Sequence, residues 1–419
     1  MNWRIFMTHT EILQKAQSLQ EELVTHRRYL HTHPGVAFDL QETYQYVYEQ
    51  LIQMGYSPNS YGKCGLIAIC GHKSKGKTIL LRADMDALPI AEEANIDFKS
   101  TNGNMHACGH DTHTTMLLGA ARILKEMENE LPGHVIFLFQ PAEETFEGAK
   151  DMIDAGVLRD TTPDVALMIH ITAGMPFETG SVIVCDGGVS APAADYFEIH
   201  IQGKGCHGAM PQMGIDPITT AAHIILALQE IHARELAMAD EAALTFGTIH
   251  AGNASNAIPD TAVLGGTLRT YDEDTRAYVK QRMEEIITNV ANTYRATTEL
   301  KFTSGCPTLI NDATLSKEVT GYMKELLGPY MAFSKGDLEA MAAASGAGNK
   351  KAAKSTGSED FAYFSQEVPS IMLALAGGKA TDGYTFPQHH PKVMFDETAL
   401  AYGTAVYAWN AIRWLEEHK

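Results

Sequence analysis

Three runs in this chain are apolar at almost every position, and each ends in residues fit for chemistry. Thr78 to Leu81 leads into Arg82-Ala83-Asp84-Met85-Asp86, Val135 to Phe139 into Gln140-Pro141-Ala142-Glu143-Glu144, and Asp164 to Ile169 into His170. A strand with one wet face alternates polar and apolar residues, so a run without alternation needs cover on both faces. That demands a mostly parallel sheet between layers of helices, an α/β fold whose ligands gather at the carboxyl ends of the strands. The helices are legible too: after His110, residues Met116, Leu117, Ala120, Ile123, Leu124 and Met127 recur at helical spacing.

Earlier in the chain, residues 8–32 read as one helix, with Thr8 and Glu11 as a capping box and Ile12, Ala16, Leu19 and Leu23 on one face. A second carries Tyr44, Val47, Leu51 and Met54 and ends near Gly55, and the runs 66–70 and 78–81 flank a Gly/Lys/Ser turn that suits a strand pair. Past residue 190 the texture changes. Residues 195–202 alternate, and a helix (216–233), two strands (243–250 and 257–269), a helix (272–294) and a strand (297–303) follow. This β-α-β-β-α-β order is the split βαβ pattern, read as an insertion. The expected division is 1–191, the first part of a catalytic domain; 192–304, the inserted α+β domain; and 305–419, the second part, with a strand at 371–376 and a closing helix at 396–417. The small-residue tract 342–348 reads as an exposed loop.

Charge and cysteine content narrow the function classes. Thirty-two basic against 51 acidic residues give a net charge of −19, which repels phosphate backbones and argues against a nucleic-acid partner. No run approaches the roughly 18 consecutive apolar residues of a membrane span, and the N-terminus turns polar too soon for a signal-peptide core. Six scattered cysteines fit a reducing compartment, so a cytoplasmic, membrane-free protein is expected.

The segment Met105-His106-Ala107-Cys108-Gly109-His110-Asp111 offers a thiolate and an imidazole two residues apart. Glu143 and Glu144 leave a buried strand side by side and can divide labour, one binding a cation and the other serving as a base. His170 ends a third run, Asp84 and Asp86 sit one residue apart where two carboxylates repel unless a cation intervenes or one is protonated, and His389 or His390 adds an imidazole late in the chain. One thiolate, two or three imidazoles and several carboxylates exceed what one tetrahedral ion uses; they suit a pair of ions about 3.5–4 Å apart that activates a water. Serine chemistry fares worse: no G-x-S-x-G elbow occurs, and Gly357-Ser358-Glu359 reads as a helix start capped by Ser358. In the insertion, the turn Gly203 to Gly208 projects His207, and Asn256 and Arg269, on neighbouring strands, suit a carboxylate clamp.

In order, RRYLHTHP, RADMDALP, MHACGHD, FQPAEE, His170, GKGCHGAMPQ, SNAIPD, GTLRT, GSEDFA and HHP resemble the dinuclear metal amidohydrolases related to aminoacylases and co-catalytic carboxypeptidases, in the branch of N-acyl-amino-acid amidohydrolases, hippurate hydrolases and auxin-conjugate hydrolases. The resemblance spans nearly the whole chain. It implies a zinc-exopeptidase-like α/β domain with an inserted ferredoxin-like dimerisation domain. By resemblance Cys108, His110, Glu144, His170 and His389 hold two divalent metal ions, zinc or manganese foremost, with cobalt and nickel admitted by the donor set. Glu143 is then the general base, Asp86 supports the metals, His207 reaches the partner's site in a homodimer, and Asn256 and Arg269 take the substrate's carboxylate end. The implied activity is hydrolysis of N-acyl-L-amino acids. A dipeptidase or carboxypeptidase, an N-acetyl-diaminopimelate deacetylase and a catalytically silent metal-binding scaffold dimer stay open, as does a tetramer. Two departures stand out: Gly35 where the family usually has Glu, and Ile171-Thr172-Ala173-Gly174 where it tends towards a proline-containing loop, near enough to the site to bear on specificity.

Overall fold

The structure, a computed structural model, describes residues 7–344 and 356–419. Its internal contacts divide it into two units. One comprises the described parts of 1–190, 310–354 and 360–419; the other comprises Ala191–Leu309 with residues 356–359.

The first unit is built on an eight-stranded sheet in the order Asn59–Tyr61, Gly65–Gly71, His134–Gln140, Thr78–Asp84, Val165–Thr172, Ser370–Ala376, Val182–Val184, Ala332–Ser334. The three apolar runs and Ser370–Ala376 are its parallel centre. The hairpin expected of 66–70 and 78–81 does not form, because His134–Gln140 lies between them, antiparallel to one and parallel to the other. A run that is apolar on both faces is stable only in the middle of a sheet, and this outranks the turn signal. Alternate residues Ile79, Leu81, Ala83, Val135, Phe137, Phe139, Leu167 and Ile169 share one core with helices His110–Glu126 and Ala399–Glu417, while Leu80, Ile136, Leu138 and Met168 are equally buried on the other face. Helix Ala399–Glu417 packs closely at Gly119, where an added Cβ would lie 2.6 Å from Thr404 Oγ1 and 2.7 Å from Leu23 Cδ2.

The helix expected over 8–32 keeps its capping box but breaks at Leu19 into His9–Ser18 and Gln20–Thr32. The break turns Arg27 and His31 inward, where both meet Asp111. Residues 342–344, expected in a loop, end the helix Lys335–Ala344, and the rest of that tract lies outside the described residues.

The second unit is a four-stranded antiparallel sheet in the order Ala242–Ala251, Thr261–Thr270, Ala193–Gln202, Thr297–Cys306, with helices Pro217–Glu230 and Glu273–Thr293. Phe197, Ile199, Ile201, Ile224, Leu228, Leu264, Leu268, Met283 and Ile287 form its core. The strand expected over 257–269 is interrupted at Pro259, which lacks an N–H for the ladder. Ala257–Ile258 pairs instead with Cys206–His207, and the main strand starts at Thr261. Among the described residues no helix is long and apolar enough to cross a membrane, and no disulfide joins any of the six cysteines.

Candidate metal centre

Strands Thr78–Asp84 and Val165–Thr172 pair only as far as Arg82 opposite Met168. Beyond that point each keeps its outer partner, Asp84 with Gln140 and Thr172 with Ala376, so the two strands part. The chain leaves Thr78–Asp84 for a strand on one side and returns with Val165–Thr172 on the other, which is how open α/β sheets make a crevice. At its base Ile169 N–H donates to the Tyr407 hydroxyl at 3.1 Å, and that hydroxyl donates to the Arg82 carbonyl at 2.6 Å.

Donors reach the crevice from four directions. Helix His110–Glu126 starts there behind Gly109, whose φ of +94° suits glycine, and an added Cβ would lie 2.6 Å from Ile171 Cγ2. This turn sets Cys108 and His110 on the crevice, with Cys108 Sγ 3.4 Å from His170 Nε2. The Glu143-Glu144 pair turns in after Ala142, itself at φ +52°. Asp86 fixes that turn by accepting both amides, Glu143 N–H on Oδ1 and Glu144 N–H on Oδ2, each at 3.1 Å. His389, at φ +65°, donates its backbone N–H to Ala107 O at 2.9 Å, and its Nε2 lies 3.5 Å from Glu144 Oε1.

Three overlapping sets each bring their ligand atoms within 4.8 Å: Cys108, His110 and His170; Cys108, Glu144 and His389; His110, Glu143 and Glu144. Every residue expected to hold or serve a metal thus lies in one cluster, joined by Asp86, whose Oδ1 is 3.3 Å from His110 Nδ1. The donor set fits a shared cation. Both His110 ring nitrogens and Glu144 Oε1 are buried with no hydrogen-bond partner among the described residues. His110 Nε2 stands 3.8 Å from Glu144 Oε1 and 3.9 Å from Glu143 Oε2, too far for hydrogen bonds. Two donors each about 2.1 Å from one tetrahedral ion stand roughly 3.4 Å apart, so the spacing and the thiolate, imidazole and carboxylate chemistry fit divalent metal. Burial and Glu144 push the Cys108 thiol up, but His170 and His110 outweigh them and leave it lowered to about 6. Hydrogen bonding towards Cys108 and Glu144 holds His389 up at about 10.

Several expectations are corrected or resolved. Asp84 and Asp86 turn to different partners: Asp84 Oδ2 accepts from Arg82 Nη1 at 2.6 Å and its Oδ1 meets His113 Nδ1 at 2.6 Å, whereas Asp86 takes the two amides. His390 stacks on Phe386 at 4.4 Å, which leaves His389 as the donor. Ser358 caps no helix. The helix starts at Ala362 with Phe361 before it, and Ser358 Oγ accepts from Arg269 Nη1 at 2.6 Å. The Ile171 departure is a core feature, because its side chain is wholly buried against Gly109 and Gly377. At Gly35 a Cβ would lie 2.2 Å from Asp39 O, so this turn has no room for the family's Glu.

In the second unit His207 and Asn256 are neighbours: Gly208 N–H donates to Asn256 O at 2.8 Å, and His207 pairs with Ala257. Arg269 is not with them. It lies near the far end of strand Thr261–Thr270, roughly 26 Å along at about 3.3 Å per residue, so Asn256 and Arg269 of one chain do not form the expected clamp.

The sequence reading missed the buried groups behind the donors. Arg82, wholly buried, donates to Asp84, to Gln140 Oε1 at 2.9 Å and to Asp360 Oδ1 at 2.9 Å, and Asp360 N–H reaches Glu143 Oε1 at 3.4 Å. His106 is buried with neither ring nitrogen partnered among the described residues. His113 was legible in principle, since it lies one turn from His110 on the same helix face.

Comparison with known proteins agrees with this geometry. The chain is 35% identical over 417 residues to the IAA-amino acid hydrolase ILR1-like 2 of Arabidopsis thaliana, covering 97% of this chain and 89% of that one. It is 39% identical over 308 residues to the N-acyl-L-amino acid amidohydrolase of Geobacillus stearothermophilus, covering 73% and 82%. Among solved structures it is similar to the Bacillus subtilis YXEP protein, described as a dinuclear metal-binding peptidase, with a TM-score of 0.74, 31% identity and coverage of 96% and 99%. Residues 80–409 match the profile of peptidase family M20/M25/M40, which takes in the point where the two strands part and every donor of the cluster, and the chain belongs to that family.

Proposed function

We propose that the protein hydrolyses the amide bond of N-acyl-L-amino acids, releasing a carboxylate and a free amino acid, with two divalent cations held by Cys108, His110, Glu144, His170 and His389. The observation that carries this is the convergence of those five donors beside a sixth group, Glu143, whose carboxylate lies at the cluster's edge. Bound there, the cations supply Lewis acidity, which polarises the amide carbonyl and acidifies a water. The thiolate favours zinc, and the carboxylates and imidazoles also accept manganese, cobalt or nickel.

The chain's own residues do the rest. Glu143 takes the proton of the attacking water and returns it to the departing nitrogen. Its backbone is fixed by Asp86 and its Oε1 faces Asp360 N–H, so the base is held in place before substrate arrives. Arg269 binds the carboxylate of the amino-acid half. His207 steadies the oxyanion of a partner subunit, and Asn256, its neighbour, acts with it from that same subunit. A homodimer is supported by an uncovered apolar face beside the edge strand Ala242–Ala251, where Ile218, Leu226 and Ile249 are exposed on the second unit. The reducing-compartment pattern of the cysteines supports the cytoplasm as its location.

Metal analysis of the purified protein, together with hydrolysis of acetyl-, benzoyl- and indoleacetyl-amino acids, tests the reading. Glu143→Gln is expected to lower kcat by about 10²–10⁴-fold at unchanged metal content. Cleavage confined to free-amine dipeptides or to N-acetyl-diaminopimelate would redirect the substrate class, and failure on every amide with two metals bound would leave a scaffold.

A further inference from the structure

One fully buried imidazole next to the cluster has no part in the scheme above. Where strands Thr78–Asp84 and Val165–Thr172 part, His113 from helix His110–Glu126 fills the fork. Its Nε2 accepts the backbone N–H of Ile171 at 2.8 Å, so that nitrogen carries no proton. Its Nδ1 must then carry one, and donates it to Asp84 Oδ1 at 2.6 Å. Asp84 is in turn held by Arg82, which the neighbouring strand fixes through Gln140. The ring thus takes up the Ile171 N–H left without a ladder partner at the fork, two residues beyond Ile169, whose N–H the Tyr407 hydroxyl accepts.

The peptide that His113 holds is the one directly after His170. The Ile171 carbonyl accepts His170 Nδ1–H at 2.7 Å, which fixes the His170 tautomer and turns Nε2 towards Cys108. We infer that His113 is a positioning residue of the metal site, aiming His170 through the Ile171 backbone from a base anchored on Asp84. Its grip on Ile171, and not the mere filling of space, is what the site uses. The inference rests on His170 being a ligand.

Two variants separate the contacts. Asn places its amide where Nδ1 lies and can still reach Asp84, but offers Ile171 nothing; Gln carries an acceptor out to the position of Nε2. Metal-free wild type, His113→Asn, His113→Gln and His170→Ala are titrated with Co2+, followed by visible absorption, and their urea midpoints are measured without metal. His113→Asn is expected to weaken the Co2+ affinity of one site by about 10–100-fold, with His113→Gln within a few-fold of wild type. Equal weakening in both variants that follows their loss of stability, or no weakening in Asn, overturns the inference while the metal site stands. Unchanged Co2+ binding by His170→Ala removes the ligand assignment and the inference with it. Should a variant not fold, the histidine 15N spectrum of the zinc-loaded wild type decides: a neutral ring protonated at Nδ1 is expected, and a proton on His113 Nε2 overturns the inference.

Discussion

Gly109 and Ile171 are expected to be energetically coupled, and the coupling can be sized from the structure. Alanine at Gly109 would sit at φ +94°, a backbone cost of about 1–2 kcal/mol for a residue with a Cβ. That Cβ would also lie 2.6 Å from Ile171 Cγ2 and 3.0 Å from Phe395 Cζ, an overlap that costs about 1–3 kcal/mol in a packed interior. Gly109→Ala should therefore destabilise the unit by about 2–5 kcal/mol. Ile171→Ala, which empties a wholly buried position, should cost about 2–5 kcal/mol by itself. In the double variant the new methyl enters space that Ile171 has vacated, so the sum should fall short of additivity by about 1–2 kcal/mol. The assay is urea unfolding of metal-free protein by tryptophan fluorescence. Trp409 and Trp414 are both buried in this unit, and Ala191–Leu309 contains no tryptophan, so the signal reports the metal-bearing unit. Additivity within about 0.5 kcal/mol would refute the claim that the Ile171 departure and the Gly109 turn are one packing unit.

Asp86→Asn sets an amide NH2 against one of the two backbone N–H groups that Asp86 now accepts, at a cost of about 1–3 kcal/mol, so kcat/KM should fall roughly 10–100-fold; a change under about twofold would remove Asp86 from the support of Glu143 and Glu144. Stripping the metal with a chelator should lower the fluorescence-detected unfolding free energy by about 4 kcal/mol for each ion removed, relative to protein at a thousandfold excess of metal over Kd, and unchanged midpoints after verified removal would refute cation binding in this unit. Burial lowers the pKa of His26, whose Nδ1 meets the Tyr46 hydroxyl at 2.8 Å. The unfolded chain then binds more protons than the folded one below about pH 6.5, so this contribution is present above that pH and is lost as pH falls towards the folded value. His26→Gln should accordingly cost more stability at pH 7.5 than at pH 5.5, and an equal cost at both would contradict the assignment.

The sheet was legible because its cause is local: a run such as Val135–Phe139, apolar on both faces, has no stable place except between neighbours. Glu143, Glu144 and His170 were legible for a related reason, since residues at the ends of such strands face the crevice, whereas Cys108 and His110 were singled out by their own spacing and His389 by the resemblance. Hydrophobic pattern could not reveal where two strands part, because Arg82 opposite Met168 is set by the directions in which connections leave the sheet. The buried polar groups behind the donors were hidden for the same reason. Arg82 ends an apolar run and His113 sits within a helix, and only the fold shows what each touches. Asn256 and Arg269 of one chain stand apart because Asn256 precedes Ala257–Ile258, beside His207, while Arg269 lies near the far end of Thr261–Thr270.

Strain gathers where the donors enter. Ala142, Gly109 and His389 all take positive φ: His389 is a donor, Gly109 directly precedes the donor His110, and Ala142 directly precedes the Glu143-Glu144 pair. A non-glycine residue in that region costs of order 1–3 kcal/mol, so Ala142 and His389 hold their shapes only because the surroundings over-determine them. For Ala142 the constraint is Asp86, which needs both following amides on one carboxylate; for His389 it is the backbone bond to Ala107, one residue before Cys108. Either bend, if relaxed, would separate Glu144 from His389, whose Nε2 now lies 3.5 Å from Glu144 Oε1. The two bends therefore hold Glu144 and His389 within reach of one cation at a cost in backbone strain, which the binding of that cation would offset.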